Sequence, residues 1–317
     1  MTSAEPVQTP ERPAQADLSV RVGVVSLQNP IIAASGTFGY GVEFAHLVDL
    51  NALGGIVVKG LSAQPMPGAP PPRLCETPSG MVNAVGLQNI GVRAFVAEKL
   101  PMLRGYNTAV IANVFGQSIP DYLEVIRVLD DAEGIAAYEL NVSCPNVERG
   151  GAEFGTHPSQ LEAVVSATRK STKRPLWVKL APTVGSIQLM ARIAETCGAD
   201  ALTIANTYPA LCIDVHTQRS RLSSTFAGLS GPAIKPITVR LVYEACRVVK
   251  IPVIGLGGIA KPEDVMEYML AGATAVEVGT AHFVDPRASE KLVSGFRELC
   301  YDAKIPEISY LRGNLQA

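Results

Sequence analysis

Short apolar runs bounded by turn residues recur along the whole chain, at 30–35, 55–59, 108–113, 136–141, 175–180, 200–206, 251–257 and 274–280. Each is too short for a typical helix, and most are rich in Val and Ile with little polar alternation. That pattern belongs to parallel strands covered on both faces. Between them lie helix-period segments at 92–103, 120–131, 158–170, 186–197, 233–249, 262–271 and 286–299. Several open on a proline near the first turn, preceded by a small or polar residue, which starts a helix well. Strand–helix alternation repeated eight times predicts an α/β fold, a (β/α)8 TIM barrel. A doubly wound open sheet is the competing architecture. A short alternating stretch, 18–27, precedes the first barrel strand and is expected to form a hairpin capping the barrel floor.

Composition narrows this picture. The 317 residues are 47% hydrophobic with a formal charge of −2. A large core is available, and the concentrated basic face that nucleic acid requires is missing. The six cysteines, Cys75, Cys144, Cys197, Cys212, Cys246 and Cys300, form no CxxC pair and no regular spacing. No metal site or disulfide framework is therefore expected, and a reduced, cytoplasmic setting is the simplest inference. No apolar stretch approaches the roughly 20 residues needed to cross a bilayer. Residues 1–17 are rich in Pro, Ala, Glu and Gln and lack a signal-peptide pattern, so they read as a flexible tail before one barrel domain at 18–317.

The predicted strand ends carry the chemistry. In order they are Ser35, Lys59, Asn113, Asn141, Lys179, Asn206, Gly257-Gly258 and Gly279-Thr280. In a barrel these ends converge on one face. Amides and lysines buried there without partners would cost a few kcal/mol each, so a polar ligand is expected. For any single Asn, capping of the following loop explains the residue equally well; the whole ring is not explained that way. The last two ends, GLGGIA at 255–260 and VGTAHF at 278–283, are glycine-rich turns where barrels commonly hold a phosphate. Strict GxGxxG is absent, which favours a mononucleotide such as FMN over a dinucleotide. Three long loops, 60–90, 142–157 and 207–231, rise from the same face and are expected to close over a ligand.

NVSCPNVERGG at 141–151 resembles the active-site loop of dihydroorotate dehydrogenases. So do ETPSGMVNAVGLQN at 76–89, IANTY at 204–208, LSGPAIKP at 229–236, IGLGGI at 254–259 and VGTA at 278–281. The match runs from about residue 30 to 283 in the family's order. It implies an FMN-binding barrel, with one non-covalent FMN per chain, that oxidises dihydroorotate to orotate in pyrimidine synthesis. Cysteine at 144 and the polar N-terminal segment place the resemblance in the soluble cysteine-base class. Within that class it is most similar to the catalytic subunit of the NAD-linked two-subunit enzymes. That similarity implies a partner subunit carrying FAD and an iron–sulfur cluster, on a homodimer core of a heterotetramer. The fumarate-using single-subunit form, flavin barrels acting on other dihydropyrimidines and an inactive barrel scaffold are the alternatives.

Carried over by the resemblance, Cys144 is similar to the base that takes the C5 proton while hydride leaves C6 for the flavin. Asn83, Asn141, Asn146, Asn206 and Thr207 resemble pyrimidine-binding groups, with Ala84, Val85, Gly86 and Leu87 contributing backbone. Lys59 would lie between flavin and substrate. Ser35, Gly60, Asn113, Asn141, Lys179 and Ala205 resemble flavin contacts, and Gly231, Gly257, Gly258, Gly279 and Thr280 the wall and phosphate cup. The chemistry is consistent: a carboxamide offers one donor group and one acceptor, as a pyrimidine edge demands. A cysteine of pKa about 8.5 suits a general base near neutral pH. Lys179 could stabilise the charge of a reduced flavin. Outside its motif, Cys144 would read as a small buried residue, as the other cysteines still do. His46, His157, His216 and His282 are scattered and receive no catalytic role. Tyr208-Pro209, Ser62 and residues 219–224 depart from the family pattern and leave loop closure and ring specificity open.

Overall fold

The computed structural model describes residues 16–142 and 154–316. The eight predicted runs are its barrel strands: Ile31–Ala33, Gly55–Val57, Ala109–Val114, Ala137–Asn141, Leu176–Leu180, Ala201–Ile204, Val253–Leu256 and Ala275–Val278. Each pairs in parallel with its neighbours in sequence, and the eighth closes on the first through Val276↔Ile31 and Val278↔Ala33. The open-sheet alternative is excluded by that closure.

Successive side chains of a strand point to opposite faces. Taking the inward one from each strand gives a ring of Ile32, Val57, Ile111, Ala137, Trp177, Ala201, Ile254 and Ala275, all in one buried cluster. The hairpin expected beneath it is present, Val20–Val22 pairing with Val25–Leu27 around Gly23 at φ +64°. Its Val22, Val25 and Leu27 join the same cluster and close the floor. Each large aliphatic buried in this plug contributes roughly 1.5–3 kcal/mol.

The helices bury one stripe against the outside of the barrel. Ile119–Asp130 buries Tyr122, Val125, Ile126 and Leu129, a spacing that keeps one face inward. It starts at a capping box in which Asp121 Oδ2 accepts from the Ser118 backbone N–H at 2.9 Å. Three expectations need correction. First, the strand–helix alternation is incomplete: residues between the first and second strands form only 3-10 turns, Val42–Phe44 and Leu50–Ala52. Second, 92–103 is not one regular helix. It runs as Val92–Ala94, a π-turn at Phe95–Lys99, and Leu100–Leu103. Pro101 lacks the N–H that a regular helix would donate to the preceding turn, and the widened turn accommodates that loss.

Third, two of the three long loops are themselves a sheet. Tyr208–Ala210, Ala227–Ser230, Gly80–Asn83 and Leu74–Thr77 form a four-stranded antiparallel cover in that order. Pro209 lies in its edge strand, where a missing backbone donor is tolerated. Most of the third loop, with Cys144 and Asn146, falls outside the described residues.

Candidate active site at the mouth of the barrel

Two residues beyond the apolar ring on each strand, the same inward face carries Ala34, Lys59, Asn113, Glu139, Lys179, Thr203, Leu256 and Glu277. Six of these eight are polar. Glu139, Thr203 and Glu277 are fully buried, and Asn113 and Lys179 nearly so. The interior therefore changes from hydrocarbon to a polar layer within a single step of the pleat.

Lys179 is the centre of that layer. Its Nζ donates to Glu139 Oε1 at 3.2 Å, Glu277 Oε2 at 3.3 Å and Ser35 Oγ at 3.3 Å. Burial opposes its charge, but the two carboxyls overcome that and hold its pKa above the ordinary lysine value. Glu139 also accepts from Asn113 Nδ2 at 2.6 Å and from the Thr203 hydroxyl at 2.8 Å. Burial penalises its charge, and Lys179 with these donors still keeps it below the usual carboxylate range. Glu277 goes the other way: burial first, then the Glu139 charge, push it well above that range.

Lys59 follows the second strand, and its Nζ donates to the Gly36 carbonyl at 3.3 Å. Burial, with the Arg73 charge behind it, lowers its pKa. The next residue must be small, since a Cβ on Gly60 would sit 2.9 Å from Asn113 Oδ1 and 3.2 Å from the Phe115 ring. Asn113 Oδ1 is itself buried with no hydrogen-bond partner among the described residues. Ser35, Lys59, Gly60, Asn113 and Lys179 thus gather at one place, and Asn141 stands in register with Lys179. Ala205 is buried just past the sixth strand, its N–H donating to the Leu256 carbonyl at 3.1 Å.

The cover brings the remaining residues together. Asn83 Nδ2 donates to the Gly228 carbonyl at 3.1 Å, and Gly228 has no room for a side chain because Thr207 Oγ1 would lie 2.1 Å from its Cβ. Asn83 and the Asn206-Thr207 pair are therefore joined through one strand. Ala84 to Leu87 follow directly: Ala84 N–H donates to the Arg73 carbonyl at 2.8 Å, and Val85 accepts from Ala69 N–H at 3.0 Å. Buried Asn89 braces this segment, donating to the Leu87 carbonyl and Ser62 Oγ, both at 2.9 Å, and accepting from Gly91 N–H at 2.8 Å. Ser62, one of the departures from the family pattern, is thus half of an internal brace.

The glycine turns also converge. Gly258 has φ +71°, and a Cβ there would lie 2.8 Å from the Gly231 carbonyl and 2.7 Å from Lys235 Cβ. Gly257 faces Thr238 in the same way, at 2.9 Å. Thr280 Oγ1 donates to Ser230 Oγ at 2.7 Å, tying the eighth strand end to the cover, with Gly279 immediately before it. These close approaches form a cradle of backbone bare of side chains, of the kind that suits an anion.

Glu139, Thr203, Glu277 and Asn89 are the residues that strand-end reading misses. The first three were detectable as polar residues two positions beyond apolar ones on the inward face. His282 is a core residue, packed against Phe38 with ring centroids 4.7 Å apart and planes tilted by 44°. A groove of about 710 Å³ lies at the opposite end of the barrel, lined by the hairpin, Tyr106 to Ala109 and Pro175. It contains none of the strand-end groups. Among the described residues no cluster of His, Cys, Asp or Glu could hold a metal ion, and no helix is long and apolar enough to cross a membrane.

A family profile described as dihydroorotate dehydrogenase matches residues 17–299. A Solibacter usitatus protein, provisionally named dihydroorotate dehydrogenase A (fumarate), is 56% identical over 94% of this chain and 98% of its own. The Thermodesulfovibrio yellowstonii protein named dihydroorotate dehydrogenase B (NAD(+)), catalytic subunit, is 48% identical over 94% and 99%. A Citrifermentans bemidjiense protein of the same name is 47% identical over 95% and 98%.

Proposed function

The chain belongs to the dihydroorotate dehydrogenase family, and from that premise we propose how its own residues oxidise dihydroorotate to orotate in pyrimidine synthesis. The family's enzymes bind one FMN per catalytic chain. FMN supplies the hydride acceptor for C6 of dihydroorotate. The residues at the mouth fit that group on a specific observation: Asn113 Oδ1 is a buried acceptor without a partner among the described residues, which a ring N–H would satisfy.

Ser35, Gly60, Asn113, Asn141, Lys179 and Ala205 hold the flavin ring, with the ammonium of Lys179 stabilising negative charge on it. Gly231, Gly257, Gly258, Gly279 and Thr280 hold the phosphate through backbone that no side chain obstructs. Lys59 stands between the two ligands, where partial burial, with the Arg73 charge behind it, lowers its pKa. Asn83, Asn141, Asn146, Asn206 and Thr207 read the pyrimidine edge, supported by the backbone of Ala84, Val85, Gly86 and Leu87. Cys144 takes the C5 proton as the hydride departs, so the substrate loses one proton and one hydride and a C5–C6 double bond forms.

The observation that carries this reading is the convergence of Lys59, Asn113 and Lys179 on one buried polar layer beneath a cover that bears Asn83. The test is anaerobic mixing of the FMN-loaded chain with dihydroorotate while flavin absorbance is followed. Bleaching that is largely lost in Cys144→Ala supports the assignment; a flavin that stays oxidised in the unsubstituted chain refutes it. For the final acceptor we favour NAD+, reached through an FAD and iron–sulfur subunit on a homodimer of this chain in the cytoplasm. The relatives named as NAD(+) catalytic subunits support that acceptor and a partner subunit, and the fumarate-named relative supports the second reading. Turnover of the isolated chain with fumarate would decide for the latter.

A further inference from the structure

Within the polar layer, two carboxyl groups and one lysine, Glu139, Glu277 and Lys179, form a buried cluster. Its hydrogen count is informative. The Thr203 hydroxyl has a single hydrogen, yet Thr203 Oγ1 lies 2.8 Å from Glu139 Oε2 and 3.3 Å from Glu277 Oε1. One hydrogen serves both only as a weaker, three-centre bond. Glu139 has the shorter contact and also takes Asn113 Nδ2 at 2.6 Å and Lys179 Nζ at 3.2 Å, three donors that favour its ionised form. Besides Thr203, Glu277 has Lys179 at 3.3 Å and the Glu139 carboxyl itself, and two carboxyls in contact need a hydrogen between them. The second contact of Thr203 is satisfied when Glu277 carries a hydrogen and donates it to Thr203 Oγ1. A chain then runs from the Glu277 hydroxyl to the Thr203 hydroxyl to the Glu139 carboxylate.

We propose that Glu139 and Glu277 share one proton in the pocket they form with Thr203 and act together as positioning residues for Lys179, keeping this three-residue charge cluster beneath the flavin at zero net charge. With both carboxyls ionised the Lys179–Glu139–Glu277 cluster would carry −1, in a volume bounded below by the apolar ring and its hairpin plug. Uncompensated charge in such surroundings is strongly disfavoured. The groups facing the pair are Lys179 from the fifth strand, Thr203 from the sixth, Asn113 from the third and Ser35 beyond the first. Lys59, on the second strand, is the other cation of the layer but stands outside the cluster: its Nζ donates to the Gly36 carbonyl, and among the described residues it forms no ion pair with either carboxyl. The tendency of Glu277 to retain a proton and of Glu139 to lose one agrees with the geometry. Two carboxyls this close titrate as a pair.

The consequence for the flavin is a logic of charges. Either Glu139→Gln or Glu277→Gln leaves one carboxylate opposite one ammonium, which is again neutral and needs no extra proton. Only the double substitution leaves the Lys179 charge uncompensated. The proposal rests on the reading of Lys179 as a flavin contact, so the experiment separates the two ideas. Infrared spectra of the FMN-loaded protein at mildly alkaline pH should contain the carbonyl stretch of a protonated carboxylic acid, shifting in D2O. That band should vanish in each single variant. The FMN reduction potential should change little in the singles and rise in Glu139→Gln/Glu277→Gln. The rise corresponds to at least a tenfold tightening for reduced relative to oxidised FMN, about 30 mV for two electrons. Lys179→Met should lower the potential.

Absence of the acid band from the wild-type protein overturns the shared proton, and this arm requires no variant to fold. A potential that moves with Lys179→Met but not with the double variant overturns the positioning role. If neither moves it, the flavin contact of Lys179 is refuted, the positioning role with it, and the band alone decides whether the pair holds a proton.

Discussion

His282 ties the stability of the barrel to pH. It is 3% exposed, its Nε2 lies 2.8 Å from Ser289 Oγ, and its Nδ1 has no partner among the described residues. Burial pushes its pKa down from 6.5 to about 4, against weaker raising contributions from the Gly279 backbone and the Asp285 charge. Between those two values the unfolded chain binds a proton that the folded chain refuses. Stability from this residue is therefore complete above pH 6.5 and is lost progressively as pH falls toward about 4. At pH 5 the linkage amounts to roughly 2 kcal/mol. For a domain of this size that is a fall in Tm of about 3 °C beyond what other groups contribute.

His282→Gln removes the titration and retains a polar partner for Ser289. Thermal unfolding of the FMN-loaded protein and of the variant, each at pH 7 and pH 5, isolates the effect from carboxylates that titrate in both. The variant is expected to be less stable at pH 7 and to lose about 3 °C less on acidification. Equal losses in the two proteins would show that His282 does not remain neutral in the folded state, and the reasoning from its burial would fail.

Other outcomes follow from the same geometry. Trp177→Ala, in the lower ring, should cost about 3–5 kcal/mol in denaturant unfolding, because the ring and hairpin close tightly around the indole. Gly258→Ala places a Cβ 2.8 Å from the Gly231 carbonyl at a left-handed backbone position, so FMN retention through gel filtration should drop at least tenfold while far-UV circular dichroism is preserved. Lys59→Met should retain FMN but slow its bleaching by dihydroorotate by about 100-fold or more, which stopped-flow absorbance would measure.

Much of the fold was legible because barrel strands buried on both faces leave unbroken apolar runs, as in the valines and isoleucines of 108–113 and 251–257. The cover was not. Leu74–Thr77 and Gly80–Asn83 are half-buried, with only Cys75 and Val82 turned fully inward, so their alternation is faint. Tyr208–Ala210 carries a proline that argues against a strand unless its edge position is known. Residues 36–54 bear no helix-period signal, and the structure forms short turns there. At the site, reading strand ends found Lys59, Asn113 and Lys179 but passed over Glu139 and Glu277. Each is a lone acid between apolar neighbours, in YEL and VEV, and only counting inward positions by twos places them beside Lys179. Positions 143–153, with Cys144 and Asn146, rest on sequence motif alone.

The cover also sets a timetable. Asn83 and its partner Gly228 are separated by 145 positions. A ribosome adding about 5–20 residues per second needs roughly 7–30 s to make that stretch. Throughout that interval the Gly80–Asn83 strand has emerged with one backbone edge lacking its eventual neighbour, Ala227–Ser230. An open edge of this kind can pair with another nascent chain. Expression conditions that slow translation through residues 84–227 would therefore be expected to increase insoluble product, even though the finished protein conceals that edge completely.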